Sequence, residues 1–84
     1  MLVAYLTIEK NPKIRTEIIE FLNHHEGIAN GIKHKLLDEE MLKRTRSNTF
    51  INTYHEFERY IEYRRSISSS RAWEEFEGLI KKWK

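Results

Sequence analysis

The fold of this chain is decided by residues 22–32, which read LNHHEGIANGI. Its apolar side chains recur every three or four residues, the spacing that places them on one face of an α-helix. The same face continues upstream. Within about 40° of one line along such a helix lie Ile14, Ile18, Phe21, His25, Ile28 and Ile32. The stretch therefore predicts a long amphipathic helix whose apolar face packs against the rest of the protein.

The ends of this helix are marked by residues with known terminal preferences. Asn11 can cap free backbone N–H groups and Pro12 is tolerated at the first helical position, so the helix should begin there. Gly27 and Gly31 lie on a second side, where each costs roughly 1 kcal/mol relative to alanine. Either a second helix approaches closely at that side, or Gly31 marks the C-terminal end. In both cases the helix should end near Lys33.

Two helices are predicted next along the chain. A short one over residues 37–42 has Asp38 as its cap and acidic residues in its first turn. A third main helix is capped by Ser47 or Asn48. Its apolar stripe consists of Phe50, Tyr54, Phe57 and Ile61. The serines within residues 66–70 should end it, because serine favours caps and turns.

A last helix completes the predicted fold. Its narrow apolar stripe, widened by Trp73 and Ile80, consists of Ala72, Phe76, Leu79 and Trp83. No stretch alternates with period two, except the first eight residues, whose pattern is ambiguous. We therefore predict an all-α protein: a single domain over residues 1–84, built as a small helical bundle of three main helices plus one short helix.

Length and composition limit the possible functions. A chain of 84 residues buries a small core, and such proteins often gain stability from a partner, so a homodimer is expected. The absence of cysteine excludes disulfides and thiolate chemistry and fits a cytoplasmic protein. The apolar opening is too short to span a membrane, and the net charge of +2 is too small to indicate nucleic acid by itself.

No arrangement of residues indicates catalysis, a metal or a cofactor. The four histidines never recur at the i, i+4 spacing of a helical metal site. The serines cluster in one predicted turn, and neither a glycine-rich phosphate loop nor a paired-carboxylate motif occurs. We therefore expect that the protein is not an enzyme.

Two polar residues interrupt the apolar face of the long helix. His25 lies at its centre, where an imidazole needs a hydrogen-bond partner. It is interpreted as a satisfied core or interface histidine, or alternatively as a pH-sensitive element of a dimer contact. Glu26 lies at the border of the face, and Arg64 lies at the border of the third main helix. Antiparallel packing would pair them and fix the register of the two helices.

A nucleic-acid surface is the alternative function. Rings and guanidinium groups alternate near one end of the molecule, a mixture that stacks bases and neutralises phosphates. These residues are Tyr54, Arg59, Tyr60, Tyr63, Arg64, Arg65 and Arg71. Three glutamates on the same helix, and the lack of a clear helix-turn-helix, count against this function.

The chain resembles an uncharacterised bacterial and phage family, domain-of-unknown-function family 4760. The resemblance rests first on residues 22–32 and on the LDEE that follows at 37–40. Its closing part consists of YI at 60–61 with Arg64 or Arg65, then AWEEFE at 72–77 with Leu79 and Trp83. It implies a small helical fold and no reaction. We expect a small non-enzymatic interaction protein, of phage or mobile-element origin, that binds or regulates a host macromolecule, with a protein as the expected partner. The candidate structural or interaction residues are His25, Glu26, Gly27, Gly31, Arg64, Arg65, Trp73 and Trp83.

Overall fold

Four α-helices make up the part of the chain described by the computed structural model, residues 5–84, with side chains from residue 7 onward. They are α1 (Tyr5–Lys10), α2 (Pro12–Lys33), α3 (Glu39–Ile67) and α4 (Glu74–Trp83). No strand occurs in residues 5–84. The prediction of an all-α bundle with three main helices and one short helix is confirmed. The segment left ambiguous by the sequence is helical from Tyr5 on, and its first four residues lie outside the described part.

The predicted start of α2 is confirmed. The Asn11 side chain accepts a hydrogen bond from the backbone N–H of Ile14 at 3.2 Å, and Pro12 occupies the first helical position. Asparagine thereby satisfies a backbone donor that has no partner inside the helix, while proline has no donor to satisfy. Local sequence alone fixes this end of the helix.

The end of α2 at Lys33 also agrees with the prediction, and a Schellman motif closes it. The N–H of Leu36 donates to the carbonyl of Gly31 at 2.8 Å, and the N–H of Lys35 donates to the carbonyl of Ile32 at 3.0 Å. Lys35 takes the left-handed conformation, with φ of 60°. This motif turns the chain sharply and leaves Leu36 at the tip of the α2–α3 turn.

The predicted division between a short helix at residues 37–42 and a main helix starting at Ser47 or Asn48 is wrong. Residues 39–42 of the first and the start of the second belong to one continuous helix, α3, whose cap is Asp38: its carboxylate accepts the N–H of Met41 at 3.2 Å. No glycine or proline occurs within α3. The side chains of Ser47 and Asn48 compete only weakly for backbone hydrogen bonds. The packing of the residues before and after them in α3 therefore keeps this segment helical. The short helix of the bundle is α1 instead.

The two ends of the turn between α3 and α4 differ in how well the sequence predicts them. The expected break in the serine-rich segment is confirmed, because α3 ends at Ile67. The last helix starts later than predicted, at Glu74. Ala72 and Trp73 therefore precede it, and Trp73 adopts the left-handed conformation with φ of 55°. Trp73 is nevertheless buried.

The packing of α4 organises the core. The ring of Trp73 lies against Tyr60 and that of Trp83 against Phe50, so α4 runs antiparallel to α3. Asn23, in the middle of α2, contacts Trp73, just before the start of α4. The C-terminal end of α2 lies beside the C-terminal part of α4, so these two helices run parallel. The largest fully buried side chains are Leu22, Tyr60, Ile61, Phe76 and Ile80.

The short helix α1 packs across α2 and α3 through a buried isoleucine, Ile8, and a glutamate, Glu9.

In the described part of the chain, no helix combines the length and the apolar character that crossing a lipid bilayer requires.

Candidate interaction surface

His25 lies inside the core rather than on a contact surface. Its side chain is 5% exposed, and Nδ1 lies 2.9 Å from the carbonyl oxygen of Phe21, to which a protonated Nδ1 donates. The rings of Phe50 and Phe76 pack against it at centroid distances of 4.8 and 5.1 Å. Burial lowers the pKa of His25, and the hydrogen bond with Phe21 opposes that shift. The imidazole is therefore a satisfied core group, and it does not reach the surface where a dimer contact would need it.

Glu26 does not pair with Arg64, so that prediction is wrong. The Glu26 carboxylate instead accepts the backbone N–H groups of Glu75 at 3.1 Å and Phe76 at 2.7 Å. These donors lie in the first turn of α4, which has no side-chain cap of its own. A carboxylate at this position also interacts favourably with the helix dipole. Glu26 thus fixes where α4 begins and how it sits on α2.

Arg64 binds a different carboxylate, that of Glu9 in α1. Arg64 Nη1 lies 3.3 Å from Glu9 Oε1, and the hydroxyl of Tyr60 donates to the same oxygen at 3.1 Å. Burial raises the pKa of Tyr60 to about 12, and the hydrogen bond to Glu9 adds to that effect. Burial alone would raise the pKa of Glu9, but the bonds from Tyr60, Arg64 and Arg15 outweigh it and lower the pKa. This cluster attaches α1 to the bundle.

Arg65 holds the turn between α3 and α4. Its Nε donates to the carbonyl of Ala72 at 2.8 Å, and Nη1 lies 2.9 Å from the Glu77 carboxylate. The remaining nitrogen, Nη2, is buried and has no hydrogen-bond partner within the described residues. Only 19% of this side chain is exposed. The guanidinium is therefore engaged inside the folded protein and is not available to bind a phosphate.

The residues suggested for nucleic-acid binding do not form one open surface. Tyr54 and Tyr60 are 5% and 0% exposed, so their rings are not accessible for stacking on bases. Arg64 and Arg65 are engaged inside the protein, as described above. Arg71 is largely exposed but lies 2.9 Å from the Glu74 carboxylate. The geometry gives no support to a nucleic-acid interface at this end of the molecule.

The two glycines of residues 22–32 distinguish between the two predicted alternatives. A Cβ added at Gly27 would meet nothing within 4 Å, so no second helix approaches there. A Cβ at Gly31 would lie 2.9 Å from Cδ1 of Leu37. The close neighbour of Gly31 is thus Leu37 in the turn that follows α2, not a second helix. Gly31 lies in the last turn of α2, where its carbonyl accepts the Schellman hydrogen bond, so the alternative that it marks the C-terminal end is confirmed.

The two tryptophans anchor the ends of the α4 segment. Nε1 of Trp73 donates to the side-chain oxygen of Asn23 at 2.8 Å, and Nε1 of Trp83 donates to the carboxylate of Glu39 at 3.1 Å. Both side chains are 7% exposed. Buried indoles with satisfied N–H groups are typical of structural tryptophans. They hold α4 in place against α2 and α3, but neither of them lines the groove between α2 and α4.

A groove of about 540 Å³ lies between the C-terminal half of α2 and one side of α4, and the α2–α3 turn with the start of α3 completes its lining. We name it the end groove. Its apolar lining is formed by Ala29, Ile32, Leu37, Gly78 and Leu79. A Cβ added at Gly78 would meet nothing within 4 Å, so the missing side chain leaves the groove open.

Charged residues of both signs form the rim of the end groove: Lys33, Lys35, Asp38, Glu39, Glu40, Glu75 and Lys82. Two ion pairs connect the helices there, Lys33 with Glu75 at 3.1 Å and Lys82 with Glu39 at 3.0 Å. Both lysines are more than half exposed. Exposed pairs contribute only about 0–1 kcal/mol each, so they can rearrange around an occupant at little cost.

Three exposed apolar side chains occur within residues 36–41, in the segment that contributes to the groove lining. Leu36, Leu37 and Met41 are 78%, 43% and 52% exposed, and we name them the apolar turn. Single exposed apolar residues are ordinary on protein surfaces, but three of them in one short segment, one of which lines an apolar groove, are typical of an interaction site. The end groove and the apolar turn together are the candidate site.

The described side chains offer no constellation for metal binding. From residue 7 onward, no three histidine, aspartate or glutamate side chains converge on a point where they could hold an ion. The carboxylates at the groove are ion-paired, cap α3 or lie on the rim. What the site provides is an apolar surface with a charged border.

The family model for a domain of unknown function, DUF4760, matches residues 4–83. The chain belongs to this family. It matches no curated protein and no solved structure. The matched range includes every residue of the end groove and the apolar turn, so this surface lies within the DUF4760 domain itself.

The sequence interpretation missed this site. None of the predicted candidate residues lines the end groove, because most of them are core or capping groups. One signal was present: Leu36 and Leu37 are adjacent leucines between Lys35 and Asp38, outside any helical repeat. Adjacent apolar residues in a polar turn cannot both face a core, so at least one should have been expected on the surface.

Proposed function

We propose that this DUF4760 protein is a small non-enzymatic interaction protein that binds another protein through the end groove and the apolar turn. The observation that carries the proposal is the exposure of Leu36, Leu37 and Met41 next to an apolar groove of about 540 Å³. Burying such side chains contributes roughly 1.5–3 kcal/mol each when they are fully covered. A protein surface can cover them all at once.

The balance of charge on the rim supports a protein as the bound partner. Three lysines and four carboxylates border the groove, so it presents no strong field of either sign. A nucleic acid needs a concentration of positive charge to neutralise its phosphates. A protein surface with mixed charge has no such requirement.

The wider setting of the proposal comes from the family resemblance. An origin in bacteria or phage and a cytoplasmic location would make a host protein, or another regulated macromolecule of the host, a suitable target of the same surface. The lack of cysteine suits a reducing compartment.

Site-specific photo-cross-linking tests the proposal. A photo-reactive phenylalanine analogue is placed at position 36 in the full chain, and a matched control carries it at position 67. Ile67 is also exposed, at 55%, but lies at the other end of α3. We expect a defined protein adduct after irradiation in cells from position 36 and none from position 67.

A second variant asks whether the groove takes part. Gly78→Leu should abolish the adduct by filling the groove, whereas Gly27→Leu should leave it, because both glycines are helical and open but only Gly78 lines the groove. Absence of any adduct from position 36, or equal adducts from both positions, would show that this surface does not bind protein.

A further inference from the structure

The end groove and the apolar turn form one continuous patch that offers both a protrusion and a receiving surface. Leu36 projects into solvent at 78% exposure, and the adjacent Leu37 lines the groove. A contact across a two-fold axis is self-complementary, so one patch must supply both halves of the fit. This patch meets that requirement without any further element.

The rim has the charge pattern that such a contact needs. Its three lysines and four carboxylates nearly balance, so two identical rims can face each other without strong repulsion. Lys35 and Glu40 both line the groove and make no ion pair among the described side chains, and in sequence they flank Leu36 and Leu37.

We infer that the protein bound at this surface is a second copy of the chain, related to the first by a two-fold axis. Leu36 of each copy enters the end groove of the other. Lys35 of one copy faces Glu40 of the other, and the same pair forms again on the far side of the axis. The inference rests on the proposed function, because it names the partner of the same surface.

The size of the patch sets the expected strength of association. The patch comprises 14 residues, the twelve that line the end groove together with Leu36 and Met41. This is fewer than the roughly 20–30 residues a side of a standard interface. The dimer is therefore expected to dissociate on dilution rather than to be permanent.

Sedimentation velocity over a wide concentration range tests the inference on the full chain. The wild type should shift from monomer to dimer as concentration rises. Leu36→Asp should raise the dissociation constant by roughly tenfold or more, because the new carboxylate would be desolvated against an apolar groove. Ile67→Asp, a matched change at the other end of α3, should leave it unchanged. A wild type that stays monomeric, or equal effects of the two variants, would overturn the dimer.

A mixing experiment tests the two-fold geometry directly. Lys35→Glu places two carboxylates at each contact, and Glu40→Lys places two ammonium groups there, so each variant alone should be monomeric. An equimolar mixture restores both opposite-charge pairs and should dimerise. Circular dichroism of each variant checks that it is folded. Two folded variants that fail to associate on mixing would contradict the proposed arrangement.

The cross-linking experiment separates this inference from the function on which it rests. An adduct of twice the chain mass from position 36 supports the second copy. An adduct with a different protein overturns the second copy and leaves protein binding at this surface intact. No adduct overturns both.

Discussion

The carboxylate of Glu26 on α2 caps the backbone of Phe76 on α4, with Oε1 2.7 Å from the amide nitrogen. The other carboxylate oxygen accepts the N–H of Glu75. A helix start normally draws its cap from the residue just before it, but here that residue is the left-handed Trp73, which supplies none. The cap comes from 50 residues away, and it joins the packing of α4 to the fold of α2.

Removal of this cap should destabilise the whole protein. Glu26→Ala leaves two partly buried N–H groups without acceptors, at a cost of about 1–3 kcal/mol in the free energy of unfolding. Glu20→Ala, an exposed site on the same helix, is the control and should stay within about 0.5 kcal/mol of wild type. Chemical denaturation followed by circular dichroism measures both. Equal stabilities of the two variants would show that the cap contributes nothing.

The continuity of α3 can be tested at Asn48. Inside an uninterrupted helix, exposed Asn48→Ala should raise the free energy of unfolding by about 0.5 kcal/mol, because alanine has the higher helix propensity. If a new helix began at this residue, the same change would remove a cap and lower stability by roughly 1 kcal/mol. Asp38→Ala removes the real cap and should show that loss. The sign of the Asn48 effect therefore decides between one helix and two.

How far the fold could be predicted depends on the range of the interactions that determine it. The start of α2 rests on Asn11 and Pro12, which are adjacent in sequence, and it was predicted correctly. Ser47 and Asn48 have the side chains of caps, but local preference was outweighed by the packing of Leu42 and Phe50 on either side of them. Local signals identify candidate helix ends; packing selects among them.

The contacts of the candidate residues were less predictable than the helices. Periodicity correctly placed His25 on the buried face, because that argument requires only one helix. The partner of Glu26 depends on how α4 crosses α2, and the partner of Arg64 depends on where α1 docks. Neither orientation follows from the spacing of residues within a single helix. The predicted ion pair between Glu26 and Arg64 was wrong for that reason.

Arg65 offers a test that separates structure from nucleic-acid binding. Arg65→Gln removes the ion pair with Glu77 and disturbs the bond to Ala72, so it should lower the free energy of unfolding by about 1–3 kcal/mol. The exposed Arg59→Gln should change stability by no more than about 0.5 kcal/mol. Thermal unfolding of both variants measures the difference. If Arg65→Gln instead kept full stability and weakened binding to DNA or RNA, the structural role would be contradicted.

His25 predicts a specific dependence of stability on pH. Its pKa is lowered in the folded protein from the ordinary 6.5, so the unfolded chain binds more protons below that pH. The free energy of unfolding should therefore fall as pH drops below about 6.5, with a slope of at most about 1.4 kcal/mol per pH unit from this one group. Urea unfolding at several values between pH 7 and pH 5 measures that slope.

Two comparisons assign the slope to His25. His25→Gln should flatten it, while His55→Gln, at an exposed site, should leave it as in wild type. Glu9, Glu39 and Glu77 have lowered pKa values in the folded protein, so their contributions are present above about 4.5 and are lost only at more acidic pH. The pH range in which His25 affects stability therefore does not overlap with the range in which these glutamates do. A slope between pH 6.5 and 5 that persists in His25→Gln would mean that protonation of another group, and not of the buried imidazole, opposes folding there.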